Sequence, residues 1–475
     1  LTPKEMLEGF SNKGMITVAL LFLVSEGIRQ SGTLGQVIKK LLPQGKTTVF
    51  KAQLRILPSV AFISAFLNNT PVVVIFAPII KHWAKSVNLP ATKFLIPLSY
   101  VTILGGICTL IGTSTNLVVH GMILEAGFEG FSMFELGKVG IFIAIAGIIY
   151  IFLFSKRLLP DARPDTAVPD EEVEEGEKLH RVEAVLGARF PGINKKLKDF
   201  NFQRHYGAEV KEIKTRNGQR FVSNLEEVVL HEGDTLVVMA DDTFIPTWGE
   251  SSVFVLLTNG NEPDTTGKKK RWFALLLLVL MIVGATVGEL PVTKEMFPDI
   301  KLDMFFFVSI TTIIMAWTNL FPARKYTKYI SWDILITIAC AFAISKAMSN
   351  SGFAAFIAEY IIGMTDALGP YALLAVIFII TNLFTELITN NAAAALAFPL
   401  ALSIASQLGV SPTPFFVVIC MAASASFSTP IGYQTNLIVQ GIGNYKFTDF
   451  VRIGLPLNII TFLISIFLIP LIWPF

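Results

Sequence analysis

The chain contains Ile111-Gly112-Thr113-Ser114-Thr115-Asn116-Leu117-Val118-Val119-His120-Gly121 and repeats it as Ile431-Gly432-Tyr433-Gln434-Thr435-Asn436-Leu437-Ile438-Val439-Gln440-Gly441, with seven of eleven positions identical. Further matches share the spacing from Gly112 to Gly432, which we call the repeat offset. Ser31-Gly32 returns at this offset as Ser351-Gly352, and Asn69 and Pro78 return within one position of it as Asn390 and Pro399. A nearly constant offset that recovers separate matches indicates an internal repeat, which predicts two related halves.

Composition places both halves in a membrane. The 475 residues are 53% hydrophobic and only 16% charged, and the mean hydropathy is +0.61. Soluble domains carry roughly 25% charged residues. Apolar runs, such as those at 272–289 and 459–473, approach or reach the roughly 20 residues that a helix needs to cross a bilayer. The sequence therefore predicts a multi-spanning helical membrane protein, and repeated membrane segments are typical of secondary transporters.

Between residues 160 and 267 the character of the sequence changes, because charged residues become frequent. Strand-like runs at 228–230 and 235–239 flank the turn His231-Glu232-Gly233-Asp234. This pattern predicts one inserted α+β domain with its linkers. It separates a first membrane repeat at 1–159 from a second at 268–475.

Each repeat contains polar residues between two short apolar arms. Asn68-Asn69-Thr70 lies between arms at 56–67 and 72–80, and Thr389-Asn390-Asn391 lies between arms at 371–384 and 392–405. Arms too short to span predict two re-entrant hairpins, near 50–87 and 371–408. The repeated segments around Gly112 and Gly432 predict broken helices near 94–124 and 413–444.

Lysine and arginine mark the cytoplasmic side of membrane segments. They cluster before the first hairpin, at both ends of the inserted domain and in the loop near 324–328, whereas segment 350–370 has none; the clustered residues are Arg29, Lys39, Lys40, Lys46, Lys51, Arg55, Lys156, Arg157, Lys268, Lys269, Lys270, Arg271, Arg324, Lys325 and Lys328. The chain is thus expected to enter the first hairpin from the cytoplasmic side of the membrane and the second from the outer side. The expected fold class is an all-α membrane protein, an inverted-repeat transporter with two re-entrant hairpins and broken helices, plus an inserted cytoplasmic α+β domain.

The polar breaks have the chemistry of an ion-binding site. Half-helix N-termini offer free N–H groups and a positive dipole end to an anion, while unwound carbonyls and Asn, Ser and Thr oxygens suit a hard cation such as Na⁺. No Arg or Lys lies within the four motifs. An anion there would therefore need neutral donors and co-bound cations. The alternative interpretation is that these polar residues only tie helices together by hydrogen bonding.

The motifs resemble those of the divalent anion:sodium symporter family over nearly all of residues 14–155 and 272–475. That family carries a Ser-Asn-Thr triplet at each hairpin tip. This chain has Asn68-Asn69-Thr70 and Thr389-Asn390-Asn391, which keep the central Asn, and the family pattern also has the later prolines, Pro78 and Pro399. The resemblance implies an elevator-type alternating-access mechanism and a homodimer.

The resemblance also implies two sets of ligands. The first sodium site would use Ser64, Asn69, Gly112 and Asn116, and the second would use Thr385, the carbonyl of Ile388, Asn390, Gly432, Gln434 and Asn436. Substrate contacts would come from Asn68, Asn69, Thr70, Thr113, Thr389, Asn390, Asn391 and Tyr433.

The inserted region resembles the C-terminal domain of TrkA-type regulators. The resemblance rests on Phe190-Pro191-Gly192, Tyr206-Gly207-Ala208-Glu209-Val210 and the run at 231–238. Within the symporter family, such insertions occur in the branch associated with sulfate. The resemblance implies a small regulatory ligand for this domain, and the alternative is a passive cytoplasmic spacer.

Together these features predict a sodium-coupled symporter of a divalent anion in the cell (inner) membrane, surrounded by lipid, with Na⁺ as the coupling ion. Sulfate is the first candidate substrate and a C4-dicarboxylate the second. The rival functions are an oxyanion exporter and a channel regulated by the soluble domain, although the sequence has no Thr-Val-Gly-Tyr-Gly-type filter.

Other classes of function find no support. The sequence shows no nucleophile–base arrangement and no phosphate-binding Gly-rich loop, so we predict no enzyme activity and no organic cofactor. Its five histidines form no cluster, which argues against a transition metal. A net charge of +2 gives no argument for nucleic-acid binding.

The second repeat places predicted helices at 272–289 and 304–320 ahead of the helix at 331–348. Their counterparts, placed earlier by the repeat offset, would precede Leu1. We therefore expect at least about 45 further residues upstream in the natural gene, containing two apolar runs.

Overall fold

A computed structural model describes residues 1–161, 179–187, 189–215, 219–241, 243–248, 253–258, 268–297, 300–365 and 369–475. Most of the two linkers predicted at the ends of the inserted domain, 162–178 and 259–267, lies outside these residues.

The first membrane region consists of eight described helices. They are α1 (Pro3–Glu8), α2 (Lys13–Gln30), α3 (Thr33–Leu41), α4 (Val49–Ser64), α5 (Asn69–Ser86), α6 (Leu95–Gly106), α7 (Ser114–Glu125) and α8 (Gly137–Leu158). Side-chain caps fix several starts: Asn12 accepts a hydrogen bond from the Gly14 N–H at 2.8 Å before α2, and Thr48 accepts from the Lys51 N–H at 3.4 Å before α4. Helices α4 and α5 form a hairpin, and a non-helical break separates α6 from α7.

The inserted domain is built on an antiparallel sheet of order β3-β2-β4-β1-β5. Its elements are β1 (His180–Leu186), α9 (Phe202–Tyr206), β2 (Glu209–Lys214), β3 (Arg220–Phe221), β4 (Thr235–Ala240), α10 (Phe244–Trp248) and β5 (Phe254–Thr258). The strand-like run at 235–239 lies in β4. The prediction of a strand at 228–230 was wrong, because Val228 and Leu230 bond to the irregular segment 194–197 and Val229 makes only an isolated bridge to Lys196.

The two faces of this sheet have different partners. Alternate β1 residues Val182, Ala184 and Leu186 pack with the domain's own aromatic core, which includes Phe190. Since neighbouring side chains of a strand point to opposite faces, Glu183 and Val185 point the other way. Val185 belongs to the hydrophobic core of the membrane region. The second face is therefore buried against membrane helices.

The second membrane region follows the same plan as the first. It contains α11 (Lys268–Gly288), α12 (Pro291–Met296), α13 (Met304–Trp317), α14 (Tyr326–Tyr329), α15 (Trp332–Asn350), α16 (Phe353–Thr365), α17 (Gly369–Leu387), α18 (Asn390–Leu408), α19 (Thr413–Ser424), α20 (Gln434–Gly443) and α21 (Phe447–Ile472). The series α2–α8 corresponds in order to α15–α21. Helices α17 and α18 form the second hairpin, and a break separates α19 from α20.

The predicted fold class is confirmed: the protein is mostly helical, with several apolar helices and a small β-sheet. Within the described residues, six helices are long and apolar enough to cross a membrane: α1–α2 taken together, α8, α11, α17, α18 and α21. The prediction that the hairpin arms are too short to span was wrong for the second hairpin. Helices α17 and α18 have 19 residues each, about 28 Å at the helical rise. The polar residues at the arm ends stay helical because neighbouring elements satisfy their side chains.

Helices α6 and α19, which precede the two breaks, lie at the centre of the membrane core. All twelve residues of α6 are buried, as are 414–424 of α19. A helix that is apolar on every side is one that other protein surrounds. At about 18 Å each, α6 and α19 are also too short to cross roughly 30 Å of hydrocarbon alone. At least one end of each must therefore lie inside the protein.

The crossing of α4 and α6 depends on a glycine. A Cβ added at Gly105 would lie 2.1 Å from the carbonyl oxygen of Ala61. Gly105→Val should force the two backbones apart and destabilise the protein by roughly 1–3 kcal/mol. Thermal unfolding in detergent would measure this, with Gly363→Val as control, since a Cβ at Gly363 meets nothing within 4 Å. Equal melting temperatures for the two variants would contradict the close crossing.

Candidate functional site

Four helices begin at the two hairpin tips and the two breaks. The tips are short, 65–68 before α5 and 388–389 before α18, and the breaks end where α7 and α20 start. The hydroxyl of Tyr433, the residue before α20, joins the starts of α5, α7 and α20. Asn69 Nδ2 donates to it at 2.6 Å, and Thr113 Oγ1 lies 3.0 Å away. The start of α18 is joined to that of α7 through Asn391.

Two further hydrogen bonds cross between the halves in a reciprocal way. Thr70 Oγ1 in the first hairpin donates to Gln434 Oε1 in the second half at 3.2 Å. Ser114 Oγ in the first half donates to Asn391 Oδ1 in the second hairpin at 3.2 Å. Thr70 corresponds to Asn391 in the repeat, as Ser114 does to Gln434. The two contacts are thus repeat equivalents, and the halves meet about an approximate two-fold relation.

The helix starts at this meeting point present uncapped N–H groups. None of Asn68, Thr113 and Tyr433 makes a side-chain cap to the helix that it precedes. Only Thr389 does so, accepting from the Ala392 N–H at 3.4 Å. Uncapped N-termini carry partial positive charge and donors that bind anions. The centre of the structure is therefore suited to an anion.

An oxygen-rich cluster lies beside the first hairpin tip. Ser64 Oγ donates to Asn69 Oδ1 at 2.8 Å. A Cβ added at Gly112 would lie 2.5 Å from the carbonyl oxygen of Gly106 and 3.0 Å from that of Ala65. Glycine at 112 thus lets several backbone oxygens converge.

The second hairpin tip has the equivalent cluster. Thr385 Oγ1 donates to Asn390 Oδ1 at 3.0 Å. A Cβ added at Gly432 would lie 2.3 Å from the carbonyl oxygen of Thr385 and 2.0 Å from Ser426 Oγ. Both clusters lie where helices end: α4 and α6 at the first, α17 and α19 at the second. Helix C-termini with free carbonyls carry partial negative charge and are used by transporters to coordinate Na⁺.

Two threonines that the sequence motifs did not single out hold these clusters together. Thr109 Oγ1 donates to the Ala65 carbonyl and accepts from the Gly112 N–H at 3.1 Å. Thr429 Oγ1 donates to the Glu386 carbonyl at 3.0 Å and accepts from the Gly432 N–H at 3.4 Å. The repeat offset relates the two threonines and could have found them.

The asparagines that follow in each motif differ in one respect. Asn116 Nδ2 donates to the Thr109 carbonyl at 2.9 Å and Asn436 Nδ2 to the Thr429 carbonyl at 3.1 Å. Asn436 Oδ1 accepts from Ser99 Oγ at 2.6 Å, whereas Asn116 Oδ1 is buried with no hydrogen-bond partner in the described part of the chain. A buried oxygen without a donor is costly unless another ligand satisfies it, and a cation would do so.

The remaining predicted residues take different positions. The side chain of Gln434 bonds to Thr70 and so joins the central group rather than the second oxygen cluster. Ile388 lies in the two-residue tip, its N–H donates to the Phe384 carbonyl at 2.8 Å, and its side chain is 39% exposed. Asn68 precedes α5 at the first tip.

Comparison with known proteins identifies the family. A family model described as citrate transporter matches residues 1–402 and 300–474. The chain belongs to the citrate transporter family. The predicted membership of the divalent anion:sodium symporter group is thereby confirmed, and so is the prediction that the chain is a multi-pass membrane transporter rather than an enzyme. The TrkA-like character of the inserted domain stays a prediction.

Individual relatives of this citrate transporter family member match nearly the whole chain. The chain is 30% identical to an uncharacterized transporter, sll0640, of Synechocystis sp., over 100% of this chain and 91% of the relative. It is 23% identical to a probable sodium/sulfate cotransporter 3 of Chlamydomonas reinhardtii, over 99% and 84%. A crystal structure of the Alcanivorax borkumensis YdaH transporter has a similar fold, with a TM-score of 0.57 at 11% identity over 98% of this chain and 86% of that one.

One carboxylate of this citrate transporter family member braces the second break. The carboxylate of Glu386, in the last turn of α17, accepts hydrogen bonds from the N–H groups of Ser428 and Thr429 and from Asn458 Nδ2, each at 2.8 Å. The equivalent residue in the first repeat is Ala65. The second break is therefore held by charged hydrogen bonds that the first does not have at this position.

Glu386→Gln should lower the stability of the second half. One carboxylate oxygen becomes an NH₂ group facing a donor, and losing a hydrogen bond to a charged group costs about 1.5–3 kcal/mol. Thermal unfolding in detergent would measure the change against Glu359→Gln, which alters an exposed carboxylate on α16. A melting temperature unchanged by Glu386→Gln would refute the bracing role.

Proposed function

We propose that this citrate transporter family member is a sodium-coupled symporter of a small divalent oxyanion, with sulfate as the preferred substrate. The supporting observation is that hydrogen bonds of Tyr433 and of Asn391 hold four helix N-termini together between two oxygen clusters. The N-termini would bind the anion and the clusters would bind cations. The two kinds of site are adjacent because Asn69 and Asn390 belong to both.

The anion would be bound without a fixed positive side chain. The tips and breaks contain Asn, Thr, Ser, Gln and Tyr but no Lys or Arg. A helix dipole places about half a positive charge at the N-terminus and the same negative charge at the C-terminus, so these helices add no net charge. A doubly charged substrate would leave a net negative charge in a low-dielectric site. Sodium ions at the adjacent oxygen clusters would offset that charge, so binding of the substrate and of the ions would depend on each other.

The sodium ligands would be the oxygens described above. In the first cluster they are Asn69 Oδ1, Asn116 Oδ1 and carbonyls near Gly112. In the second they are Asn390 Oδ1, Ser426 Oγ and carbonyls near Gly432. Asn116 Oδ1, which has no hydrogen-bond partner among the described residues, favours the first cluster as a cation site. The named function of the Chlamydomonas reinhardtii relative, a probable sodium/sulfate cotransporter, agrees with sodium and with sulfate.

Transport would follow an elevator-type cycle. The hairpins and the broken helices contribute every proposed ligand, and α8 and α21 pack on α6 and α19 of the breaks. Helices α2, α11 and α13 pack largely on one another at the periphery, and α2 and α15 contact the hairpins and breaks through α7 and α18. We define the first group, α4–α8 with α17–α21, as the transport core. Movement of this core past the peripheral helices would expose the site to each side in turn.

Uptake into proteoliposomes tests the function. Radiolabelled sulfate should accumulate under an inward sodium gradient and fall to the level of empty liposomes when choline replaces sodium. Succinate in parallel reveals a dicarboxylate preference. Asn69→Ala and Asn390→Ala should each lower sodium-driven uptake at least about tenfold, because each removes an atom shared by anion and cation sites.

The control for these variants is Asn350→Ala, which alters an exposed asparagine at the end of α15. Its uptake should match that of the unaltered protein, and all three variants should be obtained in similar detergent-solubilised yield. Full uptake by Asn69→Ala or Asn390→Ala would exclude the proposed site.

Gly432→Ala tests the second cation cluster by itself. Its methyl group would enter the space between the Thr385 carbonyl and Ser426 Oγ, so the sodium concentration for half-maximal uptake should rise about tenfold or more. Gly363→Ala, in open space, is the matched control. A Gly432→Ala variant with normal sodium dependence would remove this cluster from the coupling scheme.

A further inference from the structure

The second face of the inserted sheet is joined to the first hairpin by an ion pair. Lys81, near the end of α5, places its Nζ 2.9 and 3.0 Å from the two carboxylate oxygens of Glu183 in β1. Both side chains are largely buried, with 22% and 15% exposed. Burial opposes ionisation of the Glu183 carboxyl, but Lys81 and Lys214 lower its pKa to about 2. The Glu183 carboxylate beside Lys81 therefore stays ionised at neutral pH.

The ion pair continues into the sheet as a chain of charges. Lys214 Nζ in β2 lies 3.3 Å from Glu183 and 4.0 Å from Glu212, and the Glu212 carboxylate accepts from Arg220 Nη2 at 2.9 Å. Lys214 and Glu212 are almost fully buried, with 2% and 3% exposed. Removing one member of such a buried network leaves an uncompensated buried charge and is strongly destabilising. The network thus resists separation of Lys81 from the sheet.

A second contact joins the same sheet face to the other half of the membrane region. A Cβ added at Gly441 in α20 would lie 2.5 Å from Thr235 Oγ1 in β4 and 3.5 Å from Val185 Cγ2 in β1. One turn earlier in α20, Leu437 Cδ2 lies 3.2 Å from the Cβ position of Gly233, in the turn before β4. The sheet and α20 therefore touch closely, with glycine at 441 allowing the approach.

Both contacted helices belong to the transport core. Helix α5 begins at Asn69 and α20 at Gln434, so their N-termini form the candidate site and their later residues meet the sheet. The two helices also pack on each other. The inserted domain is thus attached to one helix from each repeat, and these two helices are already one packed unit.

We propose that the inserted domain is fixed to the transport core and moves with it as one body through the transport cycle. This rests on the proposed function, because the movement is that of the alternating-access cycle. A domain held still while the core moves would have to break the Lys81–Glu183 pair and the Gly441 contact in every cycle. Moving together preserves both. A ligand or partner of the domain would then act by limiting the positions that the core can reach.

A disulfide across the contact tests the proposal. Gly441→Cys with Thr235→Cys introduces two thiols at positions close enough to bond after a small shift. Both substitutions are made in a protein whose Cys108, Cys340 and Cys420 are replaced by Ala. Peptide mass analysis detects the cross-link. Sodium-driven sulfate uptake is measured at pH 7 before oxidation, after oxidation and after reduction.

We expect the disulfide to form and the oxidised protein to keep uptake within about twofold of the reduced protein. Loss of uptake on oxidation that reductant restores would overturn the proposal, since it would mean that the domain and the core must separate. Failure of the two thiols to cross-link in a folded protein would also overturn it. The matched control is Gly441→Cys with Thr235→Ala, which keeps the altered helix but cannot cross-link.

The control also separates this proposal from the proposed function. If the control transports sulfate with sodium and the cross-linked protein does not, only the one-body movement fails. If neither the control nor the unaltered protein transports sulfate or succinate with sodium, the proposed function fails. The uptake measurements on the cross-linked protein are then repeated with the substrate that the unaltered protein is found to transport.

Discussion

The fold of this protein depends on helix ends that lie inside its membrane core. A helix that stops there leaves N–H or C=O groups without partners, and hydrocarbon cannot satisfy them. The chain collects the N-terminal ends around Tyr433 and the C-terminal ends beside Gly112 and Gly432. The partial positive charges of the N-termini therefore lie next to the partial negative charges of the C-termini. The proposed anion site flanked by cation sites rests on this arrangement of backbone ends before any side chain is considered.

The two halves satisfy the free backbone groups at their breaks with partly different side chains. Thr109 and Thr429 make matching hydrogen bonds in both. Three of the repeat-related pairs at which the halves differ bear on these contacts, namely Ala65 and Glu386, Thr113 and Tyr433, and Ser99 and Ile419. Because Ile419 has no hydroxyl where Ser99 has one, this difference gives a reason why Asn436 Oδ1 has a donor and Asn116 Oδ1 does not. The repeat thus gives a symmetric scaffold, and the substitutions make the two oxygen clusters chemically unequal.

The sequence predicted the membrane class, the repeat and the family, because apolar runs, a constant offset and short polar motifs are local or periodic signals. It did not predict the length of α17 and α18, since Thr385 and Glu386 look like helix-ending residues until their partners 38 to 43 positions away are known. Nor did it find the bond from Asn69 to Tyr433, which joins residues 364 positions apart. Such contacts depend on how elements pack, and a single sequence does not contain that information.

The inserted sheet shows why alternation alone is ambiguous. Strand β1 alternates apolar and polar residues, a pattern that usually indicates one buried and one solvated face. Here the polar face is buried as well, against α5 and α20. Helix α5 precedes the inserted domain in the chain, so Lys81 is available to Glu183 as soon as the domain is made. Helix α20 follows the domain, so the part of the face that meets α20 stays exposed to water until the second repeat is made. A wholly apolar face exposed for that time would risk association with other chains. The paired charges around Glu183 keep the face polar, and desolvating them is the cost of burying it.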